Sequence, residues 1–99
     1  MEEIIRQIRA IARRYPPIDR ILLFGSRARG DHRPKSDVDI AVFASAMPAS
    51  DWREFCDAIH GSIRTLLEFD IVRVDDCTES FFLHNITTDG VVIYEKVGD

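Results

Sequence analysis

Two strand-like runs, Ile18 to Phe24 and Asp37 to Val42, are joined by a polar stretch that opens on Gly25-Ser26 and closes on Asp37-Val38-Asp39. This segment limits the fold more than any other. The run IDRILLF reads as a largely buried strand, while Val38, Ile40 and Val42 alternate with Asp37, Asp39 and Ala41 at the period of a strand with one face in the core. Helical spacing surrounds the pair. Ile4, Ile5, Ile8, Ile11, Ala12 and Tyr15 predict a helix over residues 2–15, ended by Pro16-Pro17. Trp52, Phe55, Cys56, Ile59, Ile63, Leu66 and Leu67 predict a second helix, capped by Ser50 or Asp51, with Asp51 and Glu54 at capping-box spacing. Phe69 to Val74 predicts a third strand, and Thr78 to Thr88 a third helix with a weaker apolar face, stopped at Asp89-Gly90. Val91 to Tyr94 predicts a short last strand. The order αββαβαβ, without repeats or a linker, points to a small α/β sandwich: one sheet with helices packed against it.

Ninety-nine residues give one domain over 1–99, with no room for a second catalytic lobe. A hydrophobic content of 45% with 30% charged residues excludes a disordered chain. No apolar run approaches the roughly 18 residues of a membrane span, and the acidic start Met1-Glu2-Glu3 is unlike a secretion signal. A cytoplasmic location with no membrane contact is expected, and with it reduced thiols at Cys56 and Cys77, which have no metal-ligand spacing. Charge is lopsided. Residues 1–36 hold nine Lys/Arg against four Asp/Glu, a net of +5, and residues 37–99 hold four against thirteen, a net of −9. An acidic chain makes a poor general nucleic-acid binder, because phosphate contacts dominate that affinity. An acidic half beside a basic half can still hold metal ions and a small polyphosphate.

Three features carry chemistry. Gly25 directly follows a strand and, lacking a Cβ, can turn sharply and let a phosphate come close. Ser26 adds a hydroxyl and a backbone N–H at the start of a helical turn, which suit phosphate oxygens. Asp37 and Asp39, two apart in a strand, point to one face roughly 6–7 Å apart, and hard oxygens at that spacing suit Mg²⁺. Two such ions can clamp the attacking and leaving oxygens of a phosphoryl displacement. Asp70, placed in its strand as Asp37 is, is the candidate third carboxylate. Either motif alone is common; their combination across the ten residues Arg27 to Ser36 is not.

Residues 25–40, GSRARGDHRPKSDVDI, resemble the signature of the minimal nucleotidyltransferases of the DNA polymerase beta superfamily, FDIVRV resembles that family's third-carboxylate strand, and DGVVIYE its ending. The resemblance spans about residues 2–95. It implies a small mixed sheet with flanking helices, the polymerase beta-like palm. It further implies that Asp37 and Asp39 bind two Mg²⁺, that Asp70 completes the metal site and helps deprotonate an acceptor hydroxyl, and that Gly25 and Ser26 hold the triphosphate of ATP. Members of that family commonly pair with a separately encoded helical HEPN protein, an RNase toxin, and neutralise it by moving AMP to a tyrosine hydroxyl. An antitoxin with a HEPN partner is therefore the expected function. Two alternatives stay open: an antitoxin that neutralises by binding alone, and a nucleotidyltransferase subunit acting on a small hydroxylated molecule.

The remaining polar residues divide less sharply. Arg27 and Arg29 each suit phosphate charge or a bridge between loop and helix; Arg27 is taken as the nucleotide ligand and Arg29 left open. Ser36 either orients Asp37 or caps a turn. Arg33 and Lys35 read as solvated loop charges, and Arg6, Arg9 and Arg13 as a solvated helical face. His32, His60 and His84 share no spacing that suggests catalysis. Phe81-Phe82 cannot both face inward on a helix, which leaves one for a partner. Cys56 reads as a small core hydrophobe.

Overall fold

The computed structural model describes residues 1–96 apart from His32, and of Phe81 and Phe82 only the backbone. The elements run α1 (Glu2–Ala12), β1 (Arg20–Phe24), α2 (Ser26–Arg29), β2 (Val38–Phe43), α3 (Ala49–Ser62), β3 (Phe69–Arg73), a single 3₁₀ turn (Val74–Asp76), α4 (Ser80–Asp89) and β4 (Val91–Glu95). The strands form one mixed sheet in the order β3-β2-β1-β4. β1 is antiparallel to both β2 and β4, and β2 is parallel to β3. A parallel pair needs a crossover between its strands, and α3 provides it.

The period-2 pattern of β2 decides what each face of the sheet does. Val38, Ile40 and Val42 join Ile21 and Leu23 in the main core, closed by Ile8 and Ile11 of α1 and Phe55 and Ile59 of α3. Ala41 and Leu22 point the other way and meet Ile86 of α4 in a second, smaller cluster, with Phe24, Phe43 and Val74 against it. α1 and α3 thus cover one face and α4 part of the other. Asp37 and Asp39 share the parity of Ala41, so the carboxylates lie on the face that carries α4.

Helix ends depart from the sequence pattern, for local reasons. α1 stops at Ala12 rather than Tyr15: the prolines disfavour helix at Tyr15, and tighter turn bonds take over, Arg14 N–H to the Ile11 carbonyl and Tyr15 N–H to Ala12, each 3.0 Å. Tyr15 still enters the core, edge-on to Phe55, with its hydroxyl 3.1 Å from Glu54. α3 begins one residue before the expected caps. Pro48 is its N-cap and neither Ser50 nor Asp51 caps it by a side chain, although Asp51 sits in the first turn, where a carboxylate suits the helix dipole. At its other end the helix stops at Ser62, so Ile63 reaches the core but Leu66 lies fully in solvent. Gly61-Ser62 are poor helix formers, and the N–H groups beyond them take side-chain acceptors, Arg64 from Gln7 and Leu67 from Thr65.

Two arrangements hold the edges. Arg73 donates from Nη2 to the carbonyls of Ala44 and Met47 (2.9 and 2.6 Å) and lies over the Trp52 ring, while Asp75 accepts from the Ala44 N–H at 2.8 Å, so the β2–α3 connection is gripped at both ends. Of the two arginines on α1, Arg9 donates from Nε to the Ile93 carbonyl, while Arg6 pairs with Glu3 at the exposed surface. No helix among the described residues is long and apolar enough to cross a membrane.

Gly90 ends α4 in an ordinary extended conformation, φ −67° and ψ 141°, so its requirement is space and not a left-handed backbone. A Cβ there would fall on the Ile86 carbonyl oxygen and stand 3.0 Å from Leu22 Cδ1. Gly90→Ala is expected to lower stability by about 1–3 kcal/mol, read as a lower urea midpoint at unchanged slope. Gly61→Ala, whose Cβ meets nothing, should raise it by up to about 1 kcal/mol through helix propensity.

Candidate active site

The register between β1 and β2 ends on the pair Phe24↔Asp39, and the register between β2 and β3 sets Asp39 beside Asp70. Phe24, Asp39 and Asp70 therefore form one row across three strands, each about 4.8 Å from the next. Asp37 lies one residue before β2, on the same face. Asp39 is partly buried, Asp37 and Asp70 exposed.

Gly25 follows Phe24 directly. Its backbone, φ 73° and ψ −155°, lies where L side chains are strained. Space forbids a side chain as well: a Cβ would fall on Asp39 Oδ2, with Asp39 Cγ 3.2 Å away. The Asp39 carboxylate occupies the place a side chain at position 25 would take. Ser26 then opens α2, whose first N–H groups have no partner within a helix. Gly30 closes the helix in the left-handed conformation at φ 84°. Gly30 and Asp31 both donate to the Ser26 carbonyl, at 2.9 and 3.1 Å.

The loop back to Asp37 is held from α2. Arg27 donates to the Ser36 carbonyl from Nη2 (2.9 Å) and Nε (3.2 Å), and to the Pro34 carbonyl from Nη2 at 3.3 Å. These bonds make Arg27 a bridge between α2 and the loop. Ser36 takes the turn-capping role: its hydroxyl accepts from the Arg33 N–H at 2.8 Å, and its own N–H donates to the Arg33 carbonyl. Arg29 lies 3.2 Å from Asp31 and 4.0 Å from Asp89, tying α2 to the last turn of α4. Away from the site, His60 packs edge-on to Phe69 and His84 stands 3.4 Å from Thr88; His32 and the Phe81-Phe82 side chains fall outside the described residues.

Partial burial pushes the Asp39 carboxyl above its ordinary value of 3.8, the charges of Asp70 and Asp37 push it further, and Arg29 and Arg27 pull it back. The carboxylates thus repel one another across the row. They are not gathered around a point: among the described residues no group of three His, Cys, Asp or Glu stands close enough to hold one ion. Carboxylate oxygens are the donor type that a hard cation such as Mg²⁺ takes.

Two hollows flank these elements. The larger, about 580 Å³, runs along β4 beside Arg9, Arg13 and Pro16 and touches none of the three aspartates. The smaller, about 260 Å³, adjoins the site and is lined by Phe24, Gly25, Arg29, Asn85 and Asp89. Asn85 and Asp89 carried no motif in the sequence; only the packing of α4 on β1 brings them to Gly25.

A family profile described as polymerase beta, nucleotidyltransferase matches residues 6–98. A curated protein of Methanocaldococcus jannaschii, named "Putative protein adenylyltransferase", is 40% identical over 55 residues, 56% of this chain and 54% of that protein. The chain thus spans about half the length of this relative. A crystal structure of a toxin-antitoxin with AMP-PNP aligns at TM-score 0.74 and 22% identity, over 93% of this chain and 73% of that one. The toxin-antitoxin MntA-HepT aligns at TM-score 0.70 and 19% identity, over 97% and 74%. At those identities the likeness is one of fold.

A carboxyl whose folded pKa is raised binds its proton more tightly in the folded state. Its ionisation therefore erodes stability as pH climbs from 3.8 through the raised value, and the loss is complete above it. Asp39→Asn is expected to raise the melting temperature at pH 7 by a degree or so, about a few tenths of a kcal/mol at this half-exposed position. The gain should vanish in melts at pH 3.

Proposed function

The chain belongs to the polymerase beta nucleotidyltransferase family, and from that premise we propose that it transfers AMP from ATP to a tyrosine hydroxyl of a HEPN-type toxin, acting as the antitoxin. The observation that carries the nucleotide half of this reading is the shared place of Gly25 and Asp39. A turn stripped of its side chain abuts the central carboxylate of a three-strand row. A triphosphate held at that turn would have its α-phosphorus at the carboxylates. The protein half is supported by the openness of the site, with Asp37 and Asp70 exposed, and by the names of the relatives: a protein adenylyltransferase and toxin-antitoxin complexes, one holding an ATP analogue.

Asp37, Asp39 and Asp70 would hold Mg²⁺, two ions as the resemblance implies, and a bound divalent cation supplies neutralisation of phosphate charge. The chain's own groups do the rest. The Ser26 hydroxyl and N–H bind phosphate oxygens where the missing Cβ of Gly25 lets the backbone come close. Arg27, through the carbonyls of Pro34 and Ser36, fixes the turn that presents Asp37. Asp70, at the open edge of the row, accepts the proton of the acceptor hydroxyl. The acceptor oxygen then bonds to the α-phosphorus as the bond to pyrophosphate breaks, leaving an AMP–tyrosine ester and pyrophosphate. ATP in place of another nucleotide, the cytoplasmic setting and the single-domain extent belong to the same proposal.

A second reading, neutralisation by binding alone, has one observation on its side: the three carboxylates are not drawn together. Label transfer separates the two. With Mg²⁺, α-labelled ATP and the product of the adjacent open reading frame, label should reach the partner. Asp37→Asn or Asp39→Asn should lower transfer at least about a hundredfold, the scale of losing a group that stabilises transition-state charge. A tight complex without label, from a chain whose aspartate variants neutralise the toxin as well as the parent, would establish the binding reading instead.

A further inference from the structure

The hollow beside Gly25 takes no part in the phosphate and carboxylate chemistry above, yet it opens from the same glycine. Its walls come from two elements. Phe24 and Gly25 close it from the end of β1, and Asn85 and Asp89, four residues apart and so on one face of α4, close it from the other side. Arg29 stands at its edge, 4.0 Å from Asp89. The two walls are fixed to each other. Ile86, between Asn85 and Asp89 in sequence, is fully buried against Leu22 and Ala41, and Gly90 locks the helix end against Leu22.

We propose that this hollow receives the nucleoside half of the donor nucleotide, with Asn85 reading the base and Asp89 holding the sugar hydroxyls. This rests on the nucleotide-transfer reading and adds the source of its base preference. At about 260 Å³ the volume lies just below that of whole small-molecule sites, roughly 300–1,000 Å³. That suits a base and sugar rather than a triphosphate or a peptide segment. Phe24 and Gly25 give the hollow a side without polar side-chain groups, which suits a flat base. An amide offers a donor and an acceptor side by side, the complement of the adenine edge with its amino group and ring nitrogen. A carboxylate accepts from paired hydroxyls and repels phosphate. Asp89 therefore orients the nucleotide, turning its charged end away from α4 towards Ser26. The acceptor is kept apart: Phe24 and Asp70 lie two strands from each other with Asp39 between them, so nucleoside and acceptor would approach the α-phosphorus from opposite sides of Asp39.

The test is equilibrium binding, in Mg²⁺, of ATP, GTP, 2′,3′-dideoxy-ATP and inorganic tripolyphosphate to the parent, Asn85→Ala, Asn85→Asp and Asp89→Asn. Unchanged urea midpoints will establish that the variants fold; Asn85 is exposed and the Arg29–Asp89 pair is a weak surface contact. The parent should bind ATP more tightly than tripolyphosphate. Asn85→Ala should lose about tenfold for ATP, nothing for tripolyphosphate, and most of the preference for ATP over GTP. Asn85→Asp, which keeps the size but not the amide donor, should lose the same preference. Asp89→Asn should bind ATP and the dideoxy nucleotide alike, where the parent favours ATP. Equal affinity of the parent for ATP and tripolyphosphate would overturn the assignment while leaving nucleotide transfer standing. So would variants that bind ATP as the parent does but transfer less, which would hand the hollow to the acceptor. A parent that binds neither ligand sinks the nucleotide reading and this inference together.

Discussion

The register of β1 against β2 is the constraint on which the rest depends. Because side chains alternate along a strand, one choice of pairing sends Val38, Ile40 and Val42 into the core under α1 and α3 and leaves Asp37 and Asp39 on the opposite face. A slip by one residue would drive two carboxylates into hydrocarbon and expose three β-branched residues. No local interaction in the loop could offset that loss. The register that satisfies the core is also the one that ends on Phe24↔Asp39, and so delivers Gly25 to the carboxylate of Asp39. Core packing and site assembly are one event. The core selects the pairing, and the pairing sets the turn against the acid.

The same coupling explains which parts of the molecule were legible in the sequence. Strand β2 declares itself by alternation and α1 by helical spacing, and the Gly25-Ser26 and Asp37-Val38-Asp39 pair stands out because its residue types are costly anywhere else. The ends of α1 and α3 are not legible, because apolar spacing continues past the point where backbone chemistry stops the helix. Tyr15 and Ile63 lie in the core without being helical. Leu66, which fits the stripe of α3, lies in solvent because the helix that would have turned it inward has already ended. Asn85 and Asp89 could not be found at all. Their place beside Gly25 follows from Ile86 seating α4 between Leu22 and Ala41, a contact across some sixty residues of sequence with no short-range trace. The bridging contacts of Arg27 were visible as one of two options, without their partners, which are the carbonyls of Pro34 and Ser36.

The position of Asp39 has a cost that the surrounding structure carries. Partial burial and two neighbouring carboxylates all oppose its ionisation, and Arg27 and Arg29 relieve it only in part because each is occupied elsewhere, one on loop carbonyls, the other between Asp31 and Asp89. An unmet negative charge at the middle of the row favours whatever cation arrives. The exposed acids on either side can then move towards it without disturbing the core, since neither Asp37 nor Asp70 is packed. The three carboxylates are thus loosely gathered and mutually repelling.

The unequal cover of the two faces is the last consequence. α1 and α3 close one face with a long apolar cluster, while among the described residues α4 meets the other in a smaller cluster around Leu22 and Ala41. Beyond that cluster the same face presents Asp39 and Asp70 on β2 and β3. A further helix there would have enlarged the hydrophobic core and buried the acids, at a desolvation penalty no cluster of this size could offset. Leaving the face half open resolves the conflict. It also lets α4 touch both the small apolar cluster and the hollow, so the fit of Ile86 and Gly90 against Leu22 sets how wide the hollow beside Gly25 can be. A change in the small apolar cluster under α4 would reach the site through the helix, without touching any residue in the row of acids.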